Sequence, residues 1–297
     1  MKHVRMGALV GMLGTLGMGC GGGGGDNPGG GACRDLPPAS VNADGVLSAY
    51  PSVSYEVDSG YRIDTVGVKV TDDGDSRGPL FELFAEVTNT GSTTRCGFLP
   101  DVYLDFTELI SLVRADKYYS DLGILYDCIA PGETAVLTAL ERGLDETNLV
   151  AGSTLSITME PFNFGTYTRA TDGPFIADDA IAFGPDPYGL EGYGVDGTLM
   201  MQTTIYNYGL RAFPRDSRGV IVDELLAFPG DLDTLPAGSS IEFSTERTGC
   251  DFPEYRAVHS WLRVNPSGLR IAEDPESAAR RDAIDAREAS VEALRGR

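Results

Sequence analysis

Ser76 sits at the centre of a literal G-x-S-x-G, Gly74 to Gly78. A serine in that motif becomes a nucleophile when a sharp strand-to-helix turn exposes its Oγ and an acid and then a histidine follow downstream. His259 does follow. Yet VGVKVTDD before the motif and LFELFAEV after it both alternate like strands, so the segment is expected to be a hairpin loop. His259 is also the only histidine apart from His3, which excludes His-rich zinc sites of the HExxH kind. On a strand over Arg256 to Val264 it shares a face with Trp261 and Arg263, opposite Val258, Leu262 and Val264. That row either binds a ligand or partner or packs against another part of the chain. Asp72, Asp73 and Asp75 in one loop, and Asp178, Asp179 and Asp186 around another, offer the hard oxygens that calcium takes. Neither set has EF-hand spacing, and solvated acidic turns are the alternative in a chain with 44 acids. No phosphate loop, dinucleotide fingerprint or nucleic-acid stacking motif follows a suitable strand, and no cofactor is expected.

Two further likenesses are local. GDSRGP, Gly74 to Pro79, resembles the nucleophile-serine motif of trypsin-like proteases with Arg77 in place of a glycine, but that family needs a histidine upstream and only His3 is there. Asp58-Ser59-Gly60 resembles the catalytic tripeptide of aspartic proteases, whose paired carboxylates require a second copy that this chain lacks. An exported hydrolase using Ser76 or a carboxylate pair is therefore the alternative reading, and a non-enzymatic module the main one.

The elements that would position these residues are β-strands. Leu80 to Gly91, LFELFAEVTNTG, alternates Phe81, Leu83, Ala85 and Val87 with Glu82, Phe84, Glu86 and Thr88, the period of a strand with one buried face. A fainter copy, LMMQTTIYNYG, runs from Leu199 to Gly209. Both end in Asn-x-Gly, at Asn89 and Asn207, where the strands are expected to stop and reverse. Each is followed by a second shared turn, APGET at Ala130 and PAGSS at Pro236. Two β-units are expected, 50–165 and 174–266, each large enough to bury a core. In the first, strands are placed near Arg62 to Val70, Leu80 to Asn89, Asp101 to Phe106, Thr134 to Leu140 and Thr154 to Glu160; Thr107 to Tyr126 fits a hairpin or a short helix. In the second they fall near Phe175 to Phe183, Thr198 to Asn207, Gly219 to Phe228, Ser239 to Ser244 and Arg256 to Val264. Strands at this spacing between Gly, Pro and Asp turns imply an all-β sandwich architecture.

Of 297 residues, 38 are Gly and 17 Pro, which favours turn-rich β-structure over helix. The net charge is −21, and removing residues 1–19 takes away Lys2 and Arg5 and leaves −23. Such a surface repels nucleic-acid phosphates, so no nucleic-acid partner is expected. The N-terminus has basic Lys2 and Arg5, then an apolar run from Met6 to Met18 too short to span a bilayer, the pattern of an export signal over 1–19. Its end resembles a bacterial lipobox, with Gly19 before Cys20, although Leu16 stands one place upstream of its usual slot. The resemblance implies a lipidated Cys20 and a membrane anchor, at the outer membrane or cell surface. The glycine run after Cys20 would act as a flexible tether, and 20–49 is read as tether and extended lead-in.

The second unit resembles FxLYD-type and related immunoglobulin-like modules of bacterial envelope proteins. The matching residues are Asn207, Gly209, Asp216, Gly219, Pro236 and Gly238, with Asn89, Gly91, Pro131, Gly132 and Glu133 in the first unit, which lacks the Asp-x-x-Gly turn after the matching strand and carries 107–126 instead. The resemblance implies two tandem immunoglobulin-like β-sandwich domains in an envelope lipoprotein, and no reaction; an envelope protein or glycan is the expected partner of such a tethered module. The tail 274–297 changes to Ala, Arg and Glu, with Asp274 and Pro275 as a helix start; its apolar stripe of Ile284, Val291 and Leu294 is thin. Such a C-terminal helix is exposed or lightly docked, or else binds a partner or a second copy.

Four cysteines lie beyond Cys20, and export favours disulfides over metal ligation. Cys96 with Cys128 falls within the first unit, and Cys33 with Cys250 follows by elimination. The first bridge would close 31 residues, 97–127, and remove denatured-state entropy equivalent to roughly 3–4 kcal/mol. Reduction should therefore destabilise the first unit more than the second. Non-reducing peptide mapping and melts of the chain with and without reductant check this, and a Cys96 to Cys250 crosslink would contradict it.

Overall fold

A computed structural model describes residues 38–96, 99–114, 128–160, 175–176, 182–185, 192–202, 204–227, 234–263 and 275–296. The described chain is mostly β-structure arranged in several sheets, with one C-terminal helix. The export signal, Cys20, Cys33, the tether and Asp178, Asp179 and Asp186 lie outside the described residues.

The strands of the first half are β1 (Ser40–Val41), β2 (Leu47–Ser48), β3 (Ser54–Val57), β4 (Tyr61–Thr71), β5 (Leu80–Asn89), β6 (Arg95–Cys96), β7 (Leu99–Leu104), β8 (Thr107–Arg114), β9 (Cys128–Ile129), β10 (Thr134–Arg142) and β11 (Thr154–Glu160). Nine of them form one continuous sheet in the order β1-β2-β4-β5-β10-β8-β7-β11-β3. Strand β8 turns the corner: Ile110 to Arg114 pair with β10, whereas Thr107 to Leu109 pair with β7. The sheet thus folds over on itself, and its two arms enclose a core that includes Phe81, Leu83, Ala85 and Val87 of β5 and Leu155, Ile157 and Met159 of β11. The first part of the undecided 107–126 stretch is therefore strand, and 115–127 lie outside the described residues.

The second half contributes β12 (Phe175–Ile176), β13 (Ala182–Pro185), β14 (Tyr193–Met201), β15 (Ile205–Arg215), β16 (Leu225–Ala227), β17 (Thr234–Leu235), β18 (Ser240–Ser244) and β19 (Glu254–Arg263), followed by α1 (Pro275–Arg295). Strand β14 pairs with β12, β13 and β18, and β15 pairs with β16, β17 and β19. A second core, including Leu199, Leu210, Ala212 and Phe243, draws on both sheets.

The repeat is real but displaced from its sequence alignment. In the first half the Pro131-Gly132 turn closes on the end of β5, with Gly132 N–H donating to Asn89 O (2.8 Å) and Asn89 N–H to Glu133 O (2.9 Å). In the second half the Pro236-Ala-Gly238 turn closes in the same way on Met201, with Gly238 N–H to Met201 O (2.8 Å) and Met201 N–H to Ser239 O (2.9 Å). Both turns rest on a glycine in the left-handed region, φ 77° at Gly132 and 78° at Gly238. Met201, not Asn207, is thus the counterpart of Asn89. Asn89 ends its strand as expected: its buried amide donates to Thr93 O and Ile129 O, and its Oδ1 accepts from Gly91 N–H at 2.9 Å. Asn207 and Gly209 do not reverse the chain. They lie inside β15, where the register with β19 shifts between Tyr206 and Gly209, so the expected turn is a bulge. The single strand expected over Thr198 to Asn207 is correspondingly two strands.

Strand β5 also departs from expectation, because all ten of its residues are buried. Phe84 on the outward face joins Val136, Phe213, Ile221 and Val258 in a small apolar cluster between the two halves. Gly67 of β4, opposite Phe84, makes this approach possible: a Cβ there would lie 1.8 Å from the carbonyl oxygen of Ile221. Gly67→Ala should push the halves apart and cost about 1–3 kcal/mol. Gly184→Ala, where a Cβ meets nothing within 4 Å, should be close to neutral. Urea unfolding of the two variants beside the parent chain checks the difference.

Candidate functional site

Of the residues singled out for chemistry, Asp58, Asp72, Asp73, Asp75 and His259 are engaged in holding loops and strands. Ser76 lies exposed in the β4–β5 connection, in a turn closed by Gly78 N–H donating to Asp75 O at 3.0 Å. The same four residues, Asp-Ser-Arg-Gly, recur at 216–219 with the same closure, Gly219 N–H to Asp216 O at 2.9 Å. In both, the aspartate accepts from the backbone N–H two residues on and pairs with that arginine, Arg77 or Arg218. The Asp-Ser-Arg-Gly within the G-x-S-x-G match at Ser76 forms this turn, with strand on both sides and no helix. Asp58 is likewise a backbone acceptor, taking the Met159 N–H at 2.7 Å.

At the acidic loop of Asp72, Asp73 and Asp75, where solvated turns and a calcium site are the two readings, guanidinium groups pair with two of the carboxylates. Arg142 forks onto Asp73 at 2.8 and 2.6 Å, and Arg77 meets Asp75 at 2.6 Å. The hydrogen bond from Arg142 holds the Asp73 carboxyl below its ordinary pKa, and that from Arg77 does the same for Asp75. Asp72 accepts the Gly74 N–H at 3.1 Å. Among the described residues no group of three or more His, Cys, Asp or Glu side chains is placed to hold a metal.

His259 does not form part of an exposed row. It is 5% exposed and its Nδ1 lies 2.9 Å from the Tyr208 hydroxyl. The alternation along β19 was legible, with Val258 opposite His259, but both faces are covered: Val258 by the first half, His259 by its own half's core side. The side chains of Trp261 and Arg263 lie outside the described ones. Cys96 and Cys128 stand directly opposite each other on β6 and β9, as their expected pairing requires, and Cys250 is disulfide-bonded. The side chains of Cys96 and Cys128 also lie outside the described ones.

A charged junction between the halves is the main concentration of functional-group chemistry that sequence reasoning missed. Glu86, on the outward face of β5, receives Arg215 through both oxygens (2.8 and 2.5 Å), Arg256 at 3.2 Å and the Thr65 hydroxyl at 2.9 Å. Glu82, two turns of the pleat along that face, receives Arg295 of α1 at 2.9 Å, and Arg295 also reaches Glu224 at 2.6 Å. Glu224 in turn accepts from Arg211 at 2.7 Å, and Lys69 reaches Asp223 at 2.6 Å and Glu82 at 3.6 Å. Burial opposes the charge on Arg295, but the nearby Glu224 and Glu82 carboxylates outweigh it and raise its pKa; Lys69 is raised by the same balance against Asp223 and Glu82.

Helix α1 is docked by these contacts and not by its thin stripe alone. Val291 and Leu294 pack on Leu80, Leu112 and Leu140, while Arg287 donates to Pro100 O (2.6 Å), Ser111 O (3.1 Å) and Asp101 (3.0 Å). The last-turn carbonyls are received by arginines of the first half, Leu294 O by Arg142 at 2.8 Å and Ala293 O by Arg77 at 3.5 Å, as the helix dipole favours. The helix therefore clamps both halves.

A signal for the junction was present in the sequence: Glu82-x-Phe84-x-Glu86 and Arg211-x-Phe213-x-Arg215 have matched spacing and opposite charge. No protein-family model matches the chain, and no curated protein matches it significantly.

Arg295→Met should leave Glu82 with Lys69 alone and Glu224 with Arg211 alone, and cost up to about 3–5 kcal/mol. Pairing it with Glu224→Gln should recover part of that loss, since the second change removes one of the under-compensated charges. A double-mutant cycle by denaturant unfolding measures the coupling, and strictly additive losses would contradict the pairing.

Proposed function

We infer that this chain is a cell-envelope lipoprotein, exported by residues 1–19, lipidated at Cys20 and displayed on the tether through residue 49. It presents two tandem immunoglobulin-like β-sandwiches as a non-enzymatic binding or structural module for an envelope protein or glycan. The observation that carries the non-enzymatic reading is the use made of its charged groups. Asp58, Asp73, Asp75, Glu82, Glu86 and His259 all serve as acceptors or ion-pair partners inside the fold, which leaves none of them poised as a base, acid or ligand.

Strand pairing supports the tandem reading. In the first half β5 pairs with β10 and β7 with β11; in the second β14 pairs with β18 and β15 with β19, with the Pro-Gly turn at the same place in each. The likeness to FxLYD-type modules rests on turn residues, Asp216, Gly219, Pro236 and Gly238 in the second half and Asn89, Gly91, Pro131, Gly132 and Glu133 in the first. Disulfides joining Cys96 to Cys128 and Cys33 to Cys250 complete the proposal.

The test has two arms. Cys20→Ser should move the protein from the membrane fraction to the soluble fraction, and unchanged retention would mean another anchor. The purified chain should give no turnover of ester, peptide or glycoside substrates; activity abolished by Ser76→Ala would instead establish the hydrolase alternative.

A further inference from the structure

The nine-stranded sheet is open along one edge. Strand β3 is its terminal strand, hydrogen-bonded on one side only, to β11. The next strand in the chain, β4, pairs with β5 and not with β3, so the two strands joined by the Asp58-Ser59-Gly60 turn are splayed apart. Both strands line a groove of about 440 Å³, within the roughly 300–1,000 Å³ of ordinary ligand pockets.

Backbone direction decides what the groove offers. Ser54 N–H donates to Ser153 O at 3.0 Å, which turns the backbone groups of Ser54 and Glu56 toward β11 and, by alternation, those of Tyr55 and Val57 toward the groove. On the opposite wall Thr90 N–H donates to Gly60 O at 2.9 Å, which places the Arg62 groups toward β5 and those of Tyr61 and Ile63 toward the groove. Among the described residues no strand pairs with either edge there, since β2 meets β4 only at Thr65 and Val66. Free edges are commonly blunted by a proline, a bulge or a covering loop. Strand β3, Ser-Tyr-Glu-Val, has no proline and keeps continuous register with β11. The loop at 42–46 covers only its start, where Asn42 donates to Val53 O at 3.0 Å and Asp44 takes the Tyr55 N–H at 3.0 Å.

The side chains add a preference. Tyr55, Val57, Tyr61 and Ile63 belong to the first core or pack on it, which gives the groove an apolar floor, while Glu56 stands exposed at its rim and Asp44 at one end. Arg62 on the other rim is engaged by Asp64 at 2.6 Å, so the charge left to the groove is that of the two acids. A strand of alternating apolar and basic residues matches all three features: its backbone extends the sheet from β3, its apolar side chains meet the floor, and its Lys or Arg side chains stand beside Glu56. A second copy of this chain matches poorly, because like charges directly opposed are destabilising and each copy carries −21.

We propose that the groove between β3 and β4 binds an extended segment of a partner protein, with alternating apolar and basic residues, added as a strand to the outer edge of β3. This deepens the binding-module reading and rests on it only in assigning the ligand to another protein. The membrane-fraction and turnover measurements read other properties, so failure here leaves them standing. The test uses the full chain carrying Cys20→Ser and labelled peptides of three Lys-Val, three Glu-Val or three Lys-Pro repeats, with binding followed by fluorescence anisotropy. The Lys-Val peptide should bind at least about tenfold more tightly than either of the others, since Glu-Val is repelled and Lys-Pro has the charge without the strand donors. Val57→Pro removes a backbone donor that faces the groove and leaves Glu56 and the groups facing β11 in place; it should weaken Lys-Val binding at least about tenfold. Glu56→Lys should weaken it too and strengthen binding of the Glu-Val peptide. Circular dichroism checks that the variants are folded; if Val57→Pro is not, hydrogen exchange on the parent chain takes its place, with amide exchange at Val57 and Ile63 slowed by the Lys-Val peptide. Equal affinity for the Lys-Val and Lys-Pro peptides, binding indifferent to Val57→Pro, exchange slowed elsewhere but not at Val57, or no binding at about 1 mM Lys-Val peptide overturns the proposal.

Discussion

Two carboxylates in the middle of a fully buried strand set the terms on which this molecule folds. Glu82 and Glu86 are each 5% exposed, on the face of β5 turned away from its own core. Burying an ionised carboxylate without a partner is prohibitively costly, so the outward face of β5 can be covered only by something that brings positive charge with it. The second half brings Arg215 and Arg256 to Glu86, and α1 brings Arg295 to Glu82. The two halves and the helix are consequently parts of one assembly, although each half has a core of its own.

Charge and apolar burial divide the work at this junction. Buried ion pairs roughly break even against desolvation, so the favourable free energy of association must come mainly from Phe84, Val136, Phe213, Ile221 and Val258. The charges contribute alignment. Each phenylalanine is flanked at two residues on either side by like charges, acidic on β5 and basic on β15, so a displaced docking would leave a carboxylate against the apolar cluster. Gly67 adds a steric condition, because its missing side chain admits the Ile221 carbonyl.

How far the sequence revealed this differs by level. Strands at Leu80 to Asn89 and Thr154 to Glu160 were legible to the residue, since alternation and bounding turns agreed there. The second copy was misaligned because Asn-x-Gly is read as a stop, and within β15 the neighbouring β19 absorbs the same residues as a bulge. Alternation also separates the faces of a strand without stating what covers each one. Glu82, Phe84 and Glu86 fell on the face opposite the expected core, and the His259 row was left open between binding and packing, because what covers a face comes from elsewhere in the chain: Arg215 lies 129 residues from Glu86, and Tyr208 lies 51 residues from His259. The aromatic at Phe84 was the clue. The tail was underestimated for a related reason: its apolar stripe is thin, and long arginine side chains do much of its anchoring.

The inward use of arginine changes what the surface can attract. Arg142 and Arg295 side chains are 3% and 8% exposed, and those of Arg247, Arg211, Arg215 and Arg256 are 15%, 17%, 18% and 20% exposed. These six pair with five acids, Asp73, Asp196, Glu82, Glu86 and Glu224, so they offer little positive charge to the surface of a chain whose net charge is −21. Within a Debye length of about 8 Å in physiological salt, unbalanced acids set the local potential. That potential favours cationic groups, in the same sense as helix α1, which the fold holds through its arginines.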